Sequence, residues 1–201
     1  MPSPRPNPRL DRLSTVLCCA PLQRAAPHVT HAVMRVVQID DDGGNAAPID
    51  MLEAWFEAHG WSNERVGDEE IVASTQGAWG SYELRGVWRD DDNVLQFLGF
   101  PDITVSGHQT AAVYETIGLV NEQLWLGHFE MWATPGTVLF RHAVLLGGDE
   151  PGLSLDQAET LIEAAVDELD RFYPVFQFVL WGGKSPKDAI AAAMVETRGE
   201  A

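Results

Sequence analysis

Gly183-Lys184-Ser185, entering an alanine-rich run, is the part of this chain that most invites a chemical reading. In a phosphate-binding loop, G-x-x-x-x-G-K-[ST], backbone N–H groups cradle the phosphates and the lysine neutralises them. With Gly183 as the second glycine, the first must stand at position 178, which is Phe178. Such a loop also follows a strand, whereas this one follows an apolar helical run. Gly182 and Gly183 read better as the end of one helix. Ser185, Pro186 and Asp188 then form the capped start of the next. No nucleotide or other cofactor is expected.

Other chemistries fare no better. His59, His108, His128 and His142 show no H-x-H or H-x3-H spacing, and no Cys lies near them. His128 and His142 share a predicted hairpin, but its register sends them to opposite faces. His142 is expected at the edge of the core with its hydrogen bonds made. No G-x-S-x-G elbow is present. Asp90, Asp91 and Asp92 fall in a turn, and Glu159, Glu163, Asp167 and Asp170 on one helix face, where solvation accounts for them. Cys18 and Cys19 are adjacent, which suits no mutual disulfide. The rest of the chain has no Cys, as expected of a reducing, cytoplasmic compartment. No catalytic, cofactor or metal site is assigned.

The 201 residues allow one domain of ordinary size, and a hydrophobic fraction of 45% is that of a globular protein. Net charge is -17, which opposes a nucleic-acid partner because phosphate contacts need clustered Lys and Arg. No apolar run approaches the roughly 20 residues that cross a bilayer, so no membrane association is expected. Residues 1–33 differ from the rest, with four Arg, one Asp, six Pro and both Cys. Residues 1–47 read as a disordered tail and linker, with Asp40, Asp41, Asp42 and Gly43-Gly44 at its end. A targeting segment before the broken apolar run Leu13–Leu22, or a true start at Met34, are the alternatives.

The positioning elements follow from periodicity. A helix from Pro48 carries Ile49, Leu52, Trp55, Phe56 and His59 on one stripe and ends at Gly60. Three strands follow: Ile71–Gln76, Trp79–Arg89 and Asn93–Phe100. The turn between the second and third sets Arg89 opposite Val94, Trp88 opposite Leu95 and Gly86 opposite Phe97. Tyr82, Leu84, Trp88, Leu95 and Phe97 then form a core face. A second helix opens at the S-x-x-Q box Ser106–Gln109 and buries Val113, Ile117, Val120 and Leu124. A hairpin, Leu126–Ala133 and Thr137–Leu146, turns at Pro135-Gly136. Its expected register puts Phe129 opposite His142, Met131 opposite Phe140 and Glu130 opposite Arg141. A long helix begins at a second box, Ser154–Gln157, and Pro174 should kink or restart it. A short helix from Pro186 to about Thr197 ends the chain. The class is α+β, a twisted antiparallel sheet packed against helices, in the order α-β-β-β-α-β-β-α-α.

Residues 48–198 resemble the YbjN family, labelled as bacterial sensory transduction regulators. The resemblance is carried by HGW at His59–Trp61, LVNEQLWLGHFEM at Leu119–Met131, VLFRHAVLL at Val138–Leu146, the helix start at Ser154, and WGGKSPKDAI at Trp181–Ile190. It implies a fold similar to type III secretion chaperones, whose members commonly dimerise and bind protein segments. It implies no catalytic residue.

The remaining candidate is a surface. Val87, Val94 and Leu98 share the second sheet face with Glu83, Arg85 and Arg89. By the hairpin register, Trp132, Glu130 and Arg141 point away from Phe129 and Met131. A partly apolar outer face marks either an interaction site or the seat of a covering helix. The possible partner-binding face is therefore Trp132, Val87, Val94, Leu98, Arg141 and Glu130. The expectation is a non-enzymatic regulatory or chaperone-like domain with a protein partner, homodimeric. The alternative is a small-molecule-binding protein or an enzyme with an aromatic-lined site.

Overall fold

The computed structural model describes residues 46–147 and 151–196, all within the compact unit Gln38–Ala201. The expectations for residues 1–45, and the middle of the loop at Gly148–Glu150, lie outside the described residues. Helix α1 (Pro48–Ala58) is followed by β1 (Ser62–Gly67), β2 (Glu70–Gln76), β3 (Ser81–Arg89) and β4 (Val94–Phe100). Then come α2 (Thr110–Asn121), β5 (His128–Trp132), β6 (Thr137–Leu145), α3 (Leu155–Leu180) and α4 (Pro186–Glu196). The six strands form one antiparallel sheet in the order β1-β2-β3-β4-β6-β5. The α+β class stands, with one strand more than periodicity predicted.

That added strand is β1. Its inward positions are Asn63 and Arg65, so it lacks the apolar alternation by which strands are recognised. Arg65 instead bonds to Asp50 and Glu53 on α1, which fixes the strand to the helix by charge. A bulge between Arg65 and Gly67 interrupts this free edge, a device that discourages strand addition.

The core lies between the inward sheet face and the helices. Tyr82, Leu84, Trp88, Leu95 and Phe97 are all buried on it, in the predicted β3–β4 register. Gly86 and Gly99 let the helices approach: a Cβ on Gly86 would meet Leu52 of α1, and one on Gly99 would meet Leu169 of α3. Phe129 of β5 packs on Phe140, Phe172 and Phe176, with ring centroids 5.5, 5.9 and 5.5 Å away. Along α3, Ala158, Leu161, Ile162, Ala165, Leu169 and Phe172 are buried, while Leu155 is exposed.

Pro174 does not divide α3. Its missing N–H orphans the carbonyl of Asp170, four residues earlier. The indole Nε1–H of Trp79 donates to that carbonyl at 2.9 Å. The Asp170 carboxylate accepts from the backbone N–H of Ala78 and from the Tyr82 hydroxyl, both at 2.7 Å. Asp170 therefore belongs to a clamp on the β2–β3 turn and not to a solvated face. Gly77 is required in that turn, because a Cβ there would overlap the Tyr82 ring.

Of the two S-x-x-Q boxes expected, one forms in full. Ser154 and Gln157 exchange both bonds of a capping box at the start of α3. At Ser106 the box is replaced by a 3-10 turn, Gly107–Gln109. The Gln109 amide oxygen accepts from the Ser106 hydroxyl, and its N–H donates to the carbonyl of Leu180 at the end of α3, 2.7 Å distant.

Candidate functional site

The outer sheet face is organised as rows of side chains across the strands. The cross-strand pairs Glu64↔Val72, Val72↔Arg85, Arg85↔Leu98, Leu98↔Arg141 and Arg141↔His128 make one row. The neighbouring row runs through Ser74, Glu83 and Phe100, and continues on β6 and β5 with the pair Leu139–Glu130. Val87 pairs with Gln96, and Val94 with Leu145, toward the other end. All six predicted residues, Trp132, Val87, Val94, Leu98, Arg141 and Glu130, thus share one face. The helix contacts described above reach the opposite face. Among the described residues no helix accounts for the apolar content of this one.

The hairpin register differs from the expected one by two residues. Phe129 stands opposite Phe140, Met131 opposite Val138, Glu130 opposite Leu139 and His128 opposite Arg141. The loop is Ala133–Gly136, two residues longer than the Pro-Gly turn, and it is held from outside. Val105 N–H donates to the Gly136 carbonyl at 2.7 Å, and Val138 N–H to the Ile103 carbonyl at 3.1 Å. Because side chains alternate with period two, a slip of two leaves every residue on its predicted face.

The row geometry explains why two outward leucines are buried. Leu98 is 4% exposed and stands between Arg85 and Arg141 in the row, a place where arginine methylenes shield an apolar neighbour while the guanidinium stays in water. Leu139 is fully buried. Trp132 on β5 reaches across β6 to meet Phe100 on β4 at 5.5 Å between centroids. Charges pin this layer. Arg141 bonds Glu130 at 2.6 Å and Gln96 at 3.0 Å, and the Trp132 Nε1–H donates to Glu130 at 2.8 Å. Partial burial pushes the Glu130 carboxyl up, but the bonds from Arg141 and Trp132 outweigh it and hold the group below its ordinary value. Arg85 bonds Glu83 at 2.8 Å and Glu70 at 3.3 Å, and its guanidinium lies 5.6 Å from the Phe100 ring centre.

Beside this layer an open groove of about 500 Å3 runs between Trp132, Phe100, Arg85, Glu83, Asp102 and Thr137. Parity from Leu98 and Glu83 places Phe100 and Arg85 here. Asp102, which follows Pro101 and sits at φ 54, carries no periodic signal that would reveal it.

His142 faces inward and His128 outward, as the hairpin parity required. The expectation that His142 has its hydrogen bonds made is not met: its Nδ1 is buried without a partner among the described residues. Burial alone lowers its pKa from the ordinary 6.5. It borders a small cavity with Val144, Leu153 and Leu161. At the other end of the molecule, Ser185 Oγ accepts from the Asp188 N–H and donates to the Asp188 carboxylate. Lys184 lies over the Phe178 ring, 5.6 Å from its centre. The G-K-S stretch is a helix start.

The family motifs are likewise architectural. In HGW, Gly60 takes a positive φ of 69° and Trp61 packs on Trp55 and Phe56. In LVNEQLWLGHFEM, the Asn121 side-chain amide exchanges two hydrogen bonds with the backbone of Phe129, pairing the edge strand β5 as a neighbouring strand would.

Six antiparallel strands, helices on one face and an ordered polar-aromatic layer on the other define an α+β protein whose outer sheet face carries no helix among the described residues. The chain belongs to the YbjN family: the family described as "Putative bacterial sensory transduction regulator" matches residues 48–178. Among solved structures it is similar to "Crystal structure of YbjN, a putative transcription regulator from E. coli". The two are 11% identical, the match covers 63% of this chain and 90% of that one, and the TM-score is 0.46. Among curated proteins no match is found.

Proposed function

We propose that this protein is a non-enzymatic, chaperone-like regulatory domain that holds a protein partner on its outer sheet face. The observation that carries the reading is Trp132, still 42% exposed beside an open groove on a face that no helix covers among the described residues. A large aromatic in a rigid frame is what interface hot spots are made of. Glu130, Arg141 and Phe100 already hold Trp132 in place, so a partner meets a surface whose ordering cost is small. The regulator description of the family agrees with this use. A small ligand is less well served, because an open groove leaves much of its surface in water. In this reading the protein works in the cytoplasm, in keeping with its Cys-free domain.

The test is affinity capture from the native cell with three forms: wild type, Trp132→Ala, and Glu163→Ala on the exposed side of α3. Partners kept by Glu163→Ala and lost by Trp132→Ala are expected. Identical partner sets for all three would reject the face. The dimer implied by the family resemblance is a separate matter. Light scattering should give twice the 22.1 kDa of the chain, and a monomer at high concentration would remove it.

A further inference from the structure

We infer that the groove beside Trp132 takes a basic, arginine-bearing segment of the partner; this rests on the outer face being the interaction surface. Charge points that way first. Among the described residues the one cation lining the groove, Arg85, is already engaged by Glu83 and Glu70 and lies against Phe100. Asp102, also lining the groove, is exposed, and its carboxylate makes no hydrogen bond or ion pair among the described residues. Among the described residues two carboxylates, Glu83 and Asp102, thus line the groove against one guanidinium, which Glu70 engages as well. An anionic ligand would meet a spent arginine and a free carboxylate. A cationic one meets the reverse, within the field of a chain of net charge -17.

The aromatic geometry narrows the cation to a guanidinium. Trp132 is fixed by its edge contact with Phe100 and by its Nε1–H bond to Glu130, and it lines the groove with its remaining surface. A planar guanidinium can stack on an indole and still direct its N–H groups in plane to a carboxylate. An ammonium has the charge without the plane. Thr137 and Thr104, joined by a β-bridge, also line the groove and add hydroxyl-bearing side chains that suit a peptide backbone.

The experiment uses the full chain, 15N-labelled, and follows its indole N–H signals by NMR. The Trp132 signal is identified by its loss in Trp132→Phe. The probes are three capped octapeptides: alternating Arg-Ser, alternating Lys-Ser and alternating Glu-Ser. The Arg peptide should move the Trp132 signal saturably, the Lys peptide should bind more weakly, and the Glu peptide should leave the signal in place. Asp102→Asn should weaken the Arg peptide about three- to five-fold, the size of one partly solvated ion pair. Asn accepts a left-handed backbone readily, so this change removes charge and keeps the turn. Glu163→Gln, on the far side, should leave affinity unchanged. The inference is overturned if the Trp132 signal stays still with the Arg peptide. It is equally overturned if Asp102→Asn and Glu163→Gln weaken binding alike, which would mean diffuse attraction. A signal that moves with protein concentration alone would assign the groove to a second copy and overturn it too. Should the peptide fail while Trp132→Ala still loses native partners, the face survives and only this chemistry is wrong.

Discussion

Asp170 serves three donors from one position, two on its carboxylate and one on its carbonyl. Burial, assisted by the Asp170 carboxylate, pushes the Tyr82 hydroxyl upward, so Tyr82 stays a donor at all ordinary pH. Asp170→Ala leaves that buried hydroxyl unpaired and should cost about 2 kcal/mol in a urea melt. Trp79→Phe removes only the donor to the carbonyl orphaned by Pro174 and should cost about 1 kcal/mol. His142 makes a prediction of opposite character. Its folded pKa lies below 6.5 because burial opposes its charge. Below that pH the unfolded chain binds the proton more readily than the folded one, so stability is full above 6.5 and falls as pH drops toward the folded pKa. Melting followed between pH 7 and 5 should show this loss, and His142→Leu should flatten it. Glu130 also loses its stabilisation with acid, at lower pH, since its folded pKa is depressed and protonation breaks the pair with Arg141.

At the level of elements, the hairpin β5–β6 shows what local pattern can and cannot fix. Gly136 takes φ 93°, and a Cβ there would lie 2.6 Å from the Val105 carbonyl oxygen. Gly136→Ala should therefore destabilise the protein by about 2–3 kcal/mol, measurable as a lowered urea midpoint with unchanged slope. Arg141→Ala should cost more than Glu130→Gln, about 1–2 kcal/mol against under 1, because it also uncovers Leu98. Faces were legible from the sequence because they depend only on parity: Phe129, Met131, Glu130 and Trp132 all point where alternation put them. The register was not, because the segment 103–105, far from the hairpin in sequence, holds its loop. β1 escaped notice for a related reason: its inward partner is a charge network on α1, not an apolar stripe. Of the candidate site, the six face residues were readable, whereas Asp102 depends on a turn that no periodicity describes. Asp170 was misread because its acidic neighbours at helical spacing are indeed solvated and it alone meets the β2–β3 turn.

Taken whole, the molecule separates two tasks by face. The inward side holds the core, and the outward side holds a polar-aromatic layer with Leu98 and Leu139 sealed beneath it. Such a surface tolerates water, so the protein needs no permanent partner to stay folded. A dimer would raise the thermal midpoint with protein concentration, but the chain diluted to the monomer should still melt cooperatively, checked by calorimetry over a hundredfold range; loss of the folded transition on dilution would show that association is part of the fold. One further consequence concerns how the chain is made. The donors that meet Asp170 precede it by 88 to 92 residues. On the ribosome the β2–β3 ribbon therefore emerges long before the residue that fastens it, and with one side still lacking the helix that will cover it. For that interval the growing chain is itself a client in need of shelter, until α3 is complete and closes over it.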